Sequence, residues 1–585
     1  MENLNSYLIS APLAAFVTWL TGISLLIVFD AAGIAIFKRK ELWARALYFF
    51  SGLLIFVNLL LLLPLLHLAT QPVYRTIAGT IIITGIILLP RQAALKDFVV
   101  FSPFNSDNTI GKLTKYILLL TLGAYFLISS TPPTDADSLD YHLGVPVEIL
   151  NNNSILLNPD NLHFRLFGFG ELLNTFGLAI GCAQFGAFIQ FLALCWMLLV
   201  VTSSVQKDKQ FQITSICLSI PILLFLIATQ KHQLTGIAAT TVCFYAFCFK
   251  YKDIDKRLCW VFAGTLLFAI GIKYSFIISG SILALFFIYR THEKVTFTFR
   301  LITVFILFLL PLFTIKYFIY KDPLSPILSG YLSDDKVVID FYKALKTTTD
   351  NKLPFPINFF IPSSIGFLSA IMGVSALIII VPLRFIKQHG TGVSMIILLT
   401  LLSVLFGQHT ARFFLESFYW SATLIVLINS NSKWVSYIST IAQIQFLILL
   451  PVVVIAAVHL SKGILTNNGR HQVMNAYATG YAESRWIDSM LPQDVVICTD
   501  VRSRSLLPRR YFPLEYLNAD TVTLKNMLQK YGVAYLILAD KPPEKTKSIT
   551  FFKGEEIACR DFTKGTRNPA NNTRYRLRIY RIRSL

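Results

Sequence analysis

Three aspartates, Asp135, Asp137 and Asp140, fall within six positions in the stretch TPPTDADSLDYHLGVP, residues 131–146, and Tyr141-His142 follows at once. Carboxylates grouped this way could take a proton from an attacking hydroxyl, cap a helix or hold a hard cation. Asp137 and Asp140 stand three apart, so one helical turn puts them on a common face. Asp135 or Asp137 suits the cap of a short helix beginning near Ser138, and Pro146 suits the first turn of a second, 146–151. Asp137, Asp140 and His142 together make a candidate site for a divalent cation; solvated loop acids and a satisfied buried histidine are the plainer alternatives.

Four further ionisable residues stand where the chain is otherwise apolar. Glu171 lies inside FRLFGFGELLNTFGLAIG, and at membrane depth such a group needs a partner or a job. Lys273 interrupts an apolar stretch and calls for something negative beside it. Lys231 and Arg412 also stand at helix ends. Arg412 suits two-pronged binding of a phosphate, or could reach out to lipid headgroups.

The elements that position these residues are membrane helices. The 585 residues are 55% hydrophobic and 14% charged, with mean hydropathy +0.61. A soluble domain carries roughly 25% charged residues, so a soluble enzyme is excluded. Apolar runs of spanning type occur at about 8–35, 45–67, 77–90, 114–131, 184–204, 211–229, 234–250, 258–272, 274–289, 301–319, 363–383, 392–408, 413–429 and 435–459. These fourteen runs predict a polytopic α-helical protein. The basic connections at 38–40, 91–115, 207–209, 250–257, 290–300, 384–387 and Lys433 all fall on one side of it if the N-terminus is outside. By the positive-inside rule that side is cytoplasmic. Segments 132–183, 228–233, 320–362 and 407–412, the turn at Lys273 and the tail are then extracytoplasmic. The apolar run around Glu171 cannot span without inverting every later loop, so it reads as a re-entrant or juxtamembrane helix.

Four regions follow: helices over 1–131, an acidic loop with juxtamembrane helices over 132–183, the remaining helices over 184–459, and a tail over 460–585. The tail carries 21 Lys and Arg against 11 Asp and Glu, which attracts anionic headgroups or simply keeps it soluble. Residues 471–490 read as helix, DVVICTD (494–500) and VAYLILAD (533–540) as strands, TLKNMLQKYG as a helix closed by Gly532, and RYRLRIYRI as an alternating strand. The tail is thus a small α/β domain. Six of the eight cysteines lie in or beside apolar runs; Cys498 and Cys559 lie in the tail and could pair in an oxidising compartment.

The order of these pieces resembles the GT-C superfamily of membrane glycosyltransferases. The likeness is nearest to bacterial relatives of the dolichyl-phosphate-mannose–protein mannosyltransferases and the lipid A aminoarabinose transferases. DADSLDYHLGVPVEIL looks like the family's acidic first loop, and FGFGELLN like the helix after it. GIKYSFIISG is similar to a later outer turn, and HTARFFLESFYW to an Arg-aromatic segment near the last helices. The likeness covers about residues 110–460. Two features depart from it: four apolar runs precede the acidic loop instead of one, and TQKHQLTG has His232-Gln233 where relatives often carry a second acid.

The resemblance implies transfer of a hexosyl or pentosyl group from a polyprenyl-phosphate carrier to a lipid, glycan or protein acceptor outside a bacterial inner or plasma membrane. It singles out Asp137 as general base, with Asp140 orienting the acceptor. His142, Glu171, Lys231, Lys273 and Arg412 become substrate-binding residues, the cations for the donor phosphate. The implied partners are that donor, the acceptor and the bilayer, with no nucleic acid and no required cofactor. A transporter or flippase predicts mid-membrane charges and symmetric broken helices instead. A glycan polymerase predicts a major outer loop late in the chain. An inactive scaffold with the same fold is the remaining alternative.

Overall fold

A computed structural model describes residues 2–91, 109–347, 352–428, 433–540, 544–565 and 573–583. Most of the basic connection 91–115 lies outside the described residues. Eight helices among them are long and apolar enough to cross a membrane: Ala11–Phe37, Leu42–Leu65, Gln71–Leu88, Lys112–Ser129, Phe185–Ser203, Lys294–Tyr320, Ile365–Phe406 and Lys433–Leu465. The chain is a multi-pass helical membrane protein with a small C-terminal sheet domain. Three shorter apolar helices, Gln233–Phe249, Leu258–Ile272 and Phe276–Arg290, complete the bundle beside Leu415–Ile428.

Two of the expected spans differ from a plain helix for visible reasons. The run 211–229 is broken into Lys207–Leu218 and Ile222–Leu226, because Pro221 cannot continue the preceding helix. Freed backbone groups inside a bundle need partners. Gln445 supplies one by donating to Ser219 O at 2.7 Å and Met372 O at 2.8 Å, and Ile222 N–H donates to Ile371 O at 3.1 Å. The runs 363–383 and 392–408 join into one apolar element with tight turns over Gly373–Phe385 and a kink at His389. The helix expected to end near 459 continues to Leu465.

The bundle has two chemically distinct ends. At one, Arg39 lies 3.9 Å from Asp255 and Lys256 lies 2.9 Å from Glu293, so three of the basic connections meet there. At the other end of the 27-residue helix Ala11–Phe37, about 40 Å away by helical rise, the chain start is tied to the tail. There Ala11 N–H donates to Asn467 Oδ1 at 2.8 Å and Arg470 to Ile9 O at 2.7 Å. An apolar cluster of Leu4, Tyr7, Leu139, Leu143, Leu178, Met474 and Leu506 joins the N-terminus, the acidic segment and the tail.

The tail begins with two helices, Asn467–Tyr477 and Tyr481–Met490, where one was expected. Gly480, at φ +82°, makes the break. Among the described residues five strands follow: β1 Val496–Thr499, β2 Arg510–Tyr511, β3 Val533–Ala539, β4 Lys553–Thr563 and β5 Arg574–Ile582. The sheet order is β2-β1-β3-β5-β4, with β1 parallel to β2 and β3, and β5 antiparallel to β3 and β4. Helix Thr521–Tyr531 leads from β2 to β3, capped by Asp520 and closed by Gly532 at φ +61°. β2 and β4 carry no strict alternation and were not foreseen. Cys498 on β1 is buried, Cys559 on β4 is exposed, and both are free thiols. They lie three strands apart, roughly 14 Å at the usual strand spacing, so the pairing that their place in the tail left open does not form.

Candidate functional site

The acidic segment divides its labour among the three aspartates. Asp135 Oδ1 accepts the Ser138 N–H at 2.9 Å and so caps the turn. That leaves Asp137 for other work. Residues Ser138–His142 form a single π-helical turn, a geometry that recurs at functional sites, and helix Gly144–Asn152 follows it. The turn places Asp137 and Asp140 on one face, because Arg502 Nη2 donates to Asp137 Oδ1 at 3.1 Å and to Asp140 Oδ2 at 3.3 Å.

Asp137 is the centre of the charge. Lys231 Nζ donates to its Oδ2 at 2.6 Å. Burial pushes the Asp137 carboxyl up, but the charges of Lys231 and Arg502, the Lys231 hydrogen bond and the charge of Arg412 together hold it well below the usual carboxylate range. It is therefore ionised at neutral pH. Asp140 is fully buried and shares Arg502 with it, while Arg504 Nε lies 3.3 Å from Asp140 Oδ1. Arg504 Nη2 continues to Glu515 at 2.6 Å, and Glu515 also accepts from His163 Nδ1 at 2.5 Å and from the His163 N–H at 3.1 Å.

His142 turns away from the aspartates. Its Nδ1 lies 2.6 Å from Glu171 Oε1, and Glu171 Oε2 accepts the Gly168 N–H at 2.7 Å at the start of helix Phe169–Ala179. At 11 residues this helix is about 16 Å long, too short to span, as the orientation argument required. Asp137, Asp140 and His142 thus do not converge as a cation site. Among the described residues no three His, Cys, Asp or Glu side chains come together in a way that could hold a metal ion.

The connection 228–233 holds the second half of the site. Gln230 N–H donates to Ser138 Oγ at 2.8 Å. Asn174 donates to His142 O at 3.1 Å and Gln230 O at 3.0 Å, and its Oδ1 pairs with His232 Nε2 at 2.9 Å. His232 is buried at φ +50°, and burial together with the charge of His142 pushes its imidazole down to about 3. It is neutral, and it locks two segments together where a second acid was sought. Gly186 makes the packing possible, since a Cβ there would collide with Asn174 Oδ1. Gln233 donates to Arg412 O at 2.9 Å, and Lys273 Nζ lies 3.3 Å from Gln233 Oε1 and 5.2 Å from the Phe413 ring. Arg412 Nη2 reaches Gln408 Oε1 at 3.3 Å. Lys231, Lys273 and Arg412, far apart in sequence, are in this way gathered around Gln233 and Asp137.

Arg502, Arg504, Glu515 and His163 escaped the sequence reading. Arg502 and Arg504 lie in the loop that leaves the carboxyl end of β1, the place where parallel strands present ligand-binding loops. The visible signal was VRSRSLLPRR, four arginines directly after a strand.

Comparison with protein families matches residues 92–474 to the family described as the DUF1420 N-terminal domain. No curated protein matches the sequence. Among solved structures, ArnT from Cupriavidus metallidurans bound to undecaprenyl phosphate is similar at 11% identity and TM-score 0.46, over 80% of this chain and 98% of that one. The apo oligosaccharyltransferase of Archaeoglobus fulgidus is similar at 10% identity and TM-score 0.43, over 72% and 69%. The mycobacterial arabinofuranosyltransferase AftD is similar at 12% identity and TM-score 0.39, over 80% and 40%.

Proposed function

The chain belongs to the DUF1420 N-terminal domain family, and from its site we propose that it is a GT-C-type glycosyltransferase using a polyprenyl-phosphate sugar. The carrying observation is an ionised Asp137, 2.6 Å from the buried Lys231, among cations from three other segments at one end of an apolar bundle. A lipid-linked phosphate brings together the two things this end offers: hydrocarbon beside it and Lys and Arg side chains at its rim.

Asp137 takes the proton of an acceptor hydroxyl as its oxygen forms the new bond to C1 of the sugar. The C1–O bond to phosphate breaks, and the electron pair leaves with the polyprenyl phosphate. Lys231, Lys273 and Arg412 meet the charge that grows there, in a site drier than water and so stronger for each contact. Asp140 orients the acceptor, while His142 and Glu171 hold the acidic turn against the bundle. The scheme calls on no cofactor. The acidic site and the tail face the extracytoplasmic side, opposite the basic connections, by the positive-inside rule.

The test is transfer by the purified full-length protein from a panel of radiolabelled polyprenyl-phosphate sugars, with nucleotide sugars alongside. The expected result is label on an acceptor with equimolar release of polyprenyl phosphate. Movement of intact lipid-linked sugar across vesicles, with no transfer from any donor, would overturn the proposal in favour of a flippase.

A further inference from the structure

Three cations meet at the two aspartates, and they differ in how firmly they are held. Lys231 is 3% exposed in its side chain and lies 4.7 Å from the Phe225 ring centroid. Arg504 is fully buried, fixed by Glu515 at 2.6 Å and set over the Phe164 ring at 5.6 Å. Arg502 is 46% exposed and touches both acids through Nη2. An ion pair that open to water is held weakly. The backbone that carries it is not loose, however. Ser503 sits at φ +88°, its Oγ donates to Thr479 O at 2.7 Å, and Ser505 Oγ donates to Leu139 O at 2.6 Å. A left-handed serine is retained only where its surroundings hold it. The loop is thus pinned on the acidic segment, and the Arg502 side chain is the part that can exchange.

A carboxylate surrounded by cations is a poor base. Asp137 faces Lys231 from the connection 228–233, Arg412 from the turn 407–412 and Arg502 from the tail, with Asp140 and Tyr141 on its own segment. A donor phosphate arriving there competes for the same cations.

Resting on the glycosyltransferase reading, we infer that Arg502 is an exchangeable phosphate ligand supplied by the C-terminal domain: it rests on Asp137 and Asp140, passes to the donor phosphate when donor binds, and so frees Asp137 to act as base only in the loaded site. The exchange couples base strength to occupancy and keeps the empty site from activating water. It also makes the tail part of the donor site.

The experiment uses the full chain in nanodiscs, with undecaprenyl phosphate lacking sugar as the binding probe and pH profiles of transfer as the second readout. The acid limb of kcat reports Asp137 in the loaded site and that of kcat/KM reports it in the free enzyme. In the wild type the kcat limb lies at higher pH, by about one unit. Arg502→Gln brings the two limbs together by raising the free-enzyme value, and weakens undecaprenyl phosphate binding and donor KM about tenfold or more. Arg502→Lys restores part of the affinity. Equal binding of undecaprenyl phosphate by wild type and Arg502→Gln, or limbs that coincide already in the wild type, overturns the exchange. Failure of the wild type to bind undecaprenyl phosphate at all overturns the glycosyltransferase reading and the exchange with it.

Discussion

Replacing Arg504 by Met removes the cation that lies between two buried carboxylates. Arg504 and Asp140 are fully buried and Glu515 is 4% exposed in its side chain. Removing one partner of such a pair leaves a charge without compensation and costs about 3–5 kcal/mol. The contacts with Asp140 and Glu515 are not additive, because they share one guanidinium. The loss falls on the docking of the loop 501–518 against the acidic segment, since that is what Arg504 joins. At about 1.4 kcal/mol per factor of ten, the docked state loses roughly two to three and a half orders of magnitude over the open one. Amide exchange on detergent-purified protein reads this directly. Arg504→Met should speed exchange across 501–518 and Leu139–Leu143 while β3 keeps its protection. Adding Glu515→Gln should return a good part of the loss, because one stranded charge is gone. Unchanged exchange in Arg504→Met would refute the reasoning. A double variant as open as the single one would show that packing on Phe164, not charge, holds the loop.

The pH dependence of tail docking follows from two acids of opposite sign. Burial pushes Glu148 up to about 7, against the Asn158 N–H and the charge of Arg504. Its ionisation therefore opposes folding at high pH and stops doing so as pH falls from about 7 towards the ordinary value of about 4.3. Glu515 is raised by burial but lowered more by Arg504 and His163, so it ends below the usual range. Its contribution is present above about pH 4.3 and is lost as pH falls below that. Thermal melts should peak in mildly acid buffer, and Glu148→Gln should flatten the alkaline side alone. Lys231→Met should lower kcat/KM about tenfold to a hundredfold and move its acid limb to higher pH, as measured by transfer across a pH series; an unmoved limb would remove Lys231 from the site. A periplasmic-type reporter fused after Leu465 should be active, and a cytoplasmic readout there would invert the sidedness.

The sequence made the helical bundle readable because apolar length is a local property. Lys231, Lys273 and Arg412 were legible as cations at the ends of apolar runs and the three aspartates as a cluster, while the choice of Asp137 among them came from the family resemblance. Their neighbours were not readable. That Asp135 takes the cap and frees Asp137, or that His142 pairs with Glu171 across 29 positions, depends on packing between distant segments. Pro221 announced the broken span, but Gln445, which stabilises the break, looks like any polar residue on a long helix. The two arginines of the tail loop were visible only as charge after a strand. The partners of Arg502 lie 362 and 365 positions away, at Asp140 and Asp137, and Arg504 reaches the same Asp140. His232 shows the converse, a residue read as a missing acid that proves to be a buried, neutral tie between segments.

The central claim is that Asp137 removes the acceptor proton. Sugar transfer from the preferred polyprenyl-phosphate donor, measured at saturation for wild type and Asp137→Asn with matched melting temperatures, tests it most directly. The account predicts a fall of about 10²–10⁴-fold in kcat with donor still bound. Full transfer by Asp137→Asn would contradict it.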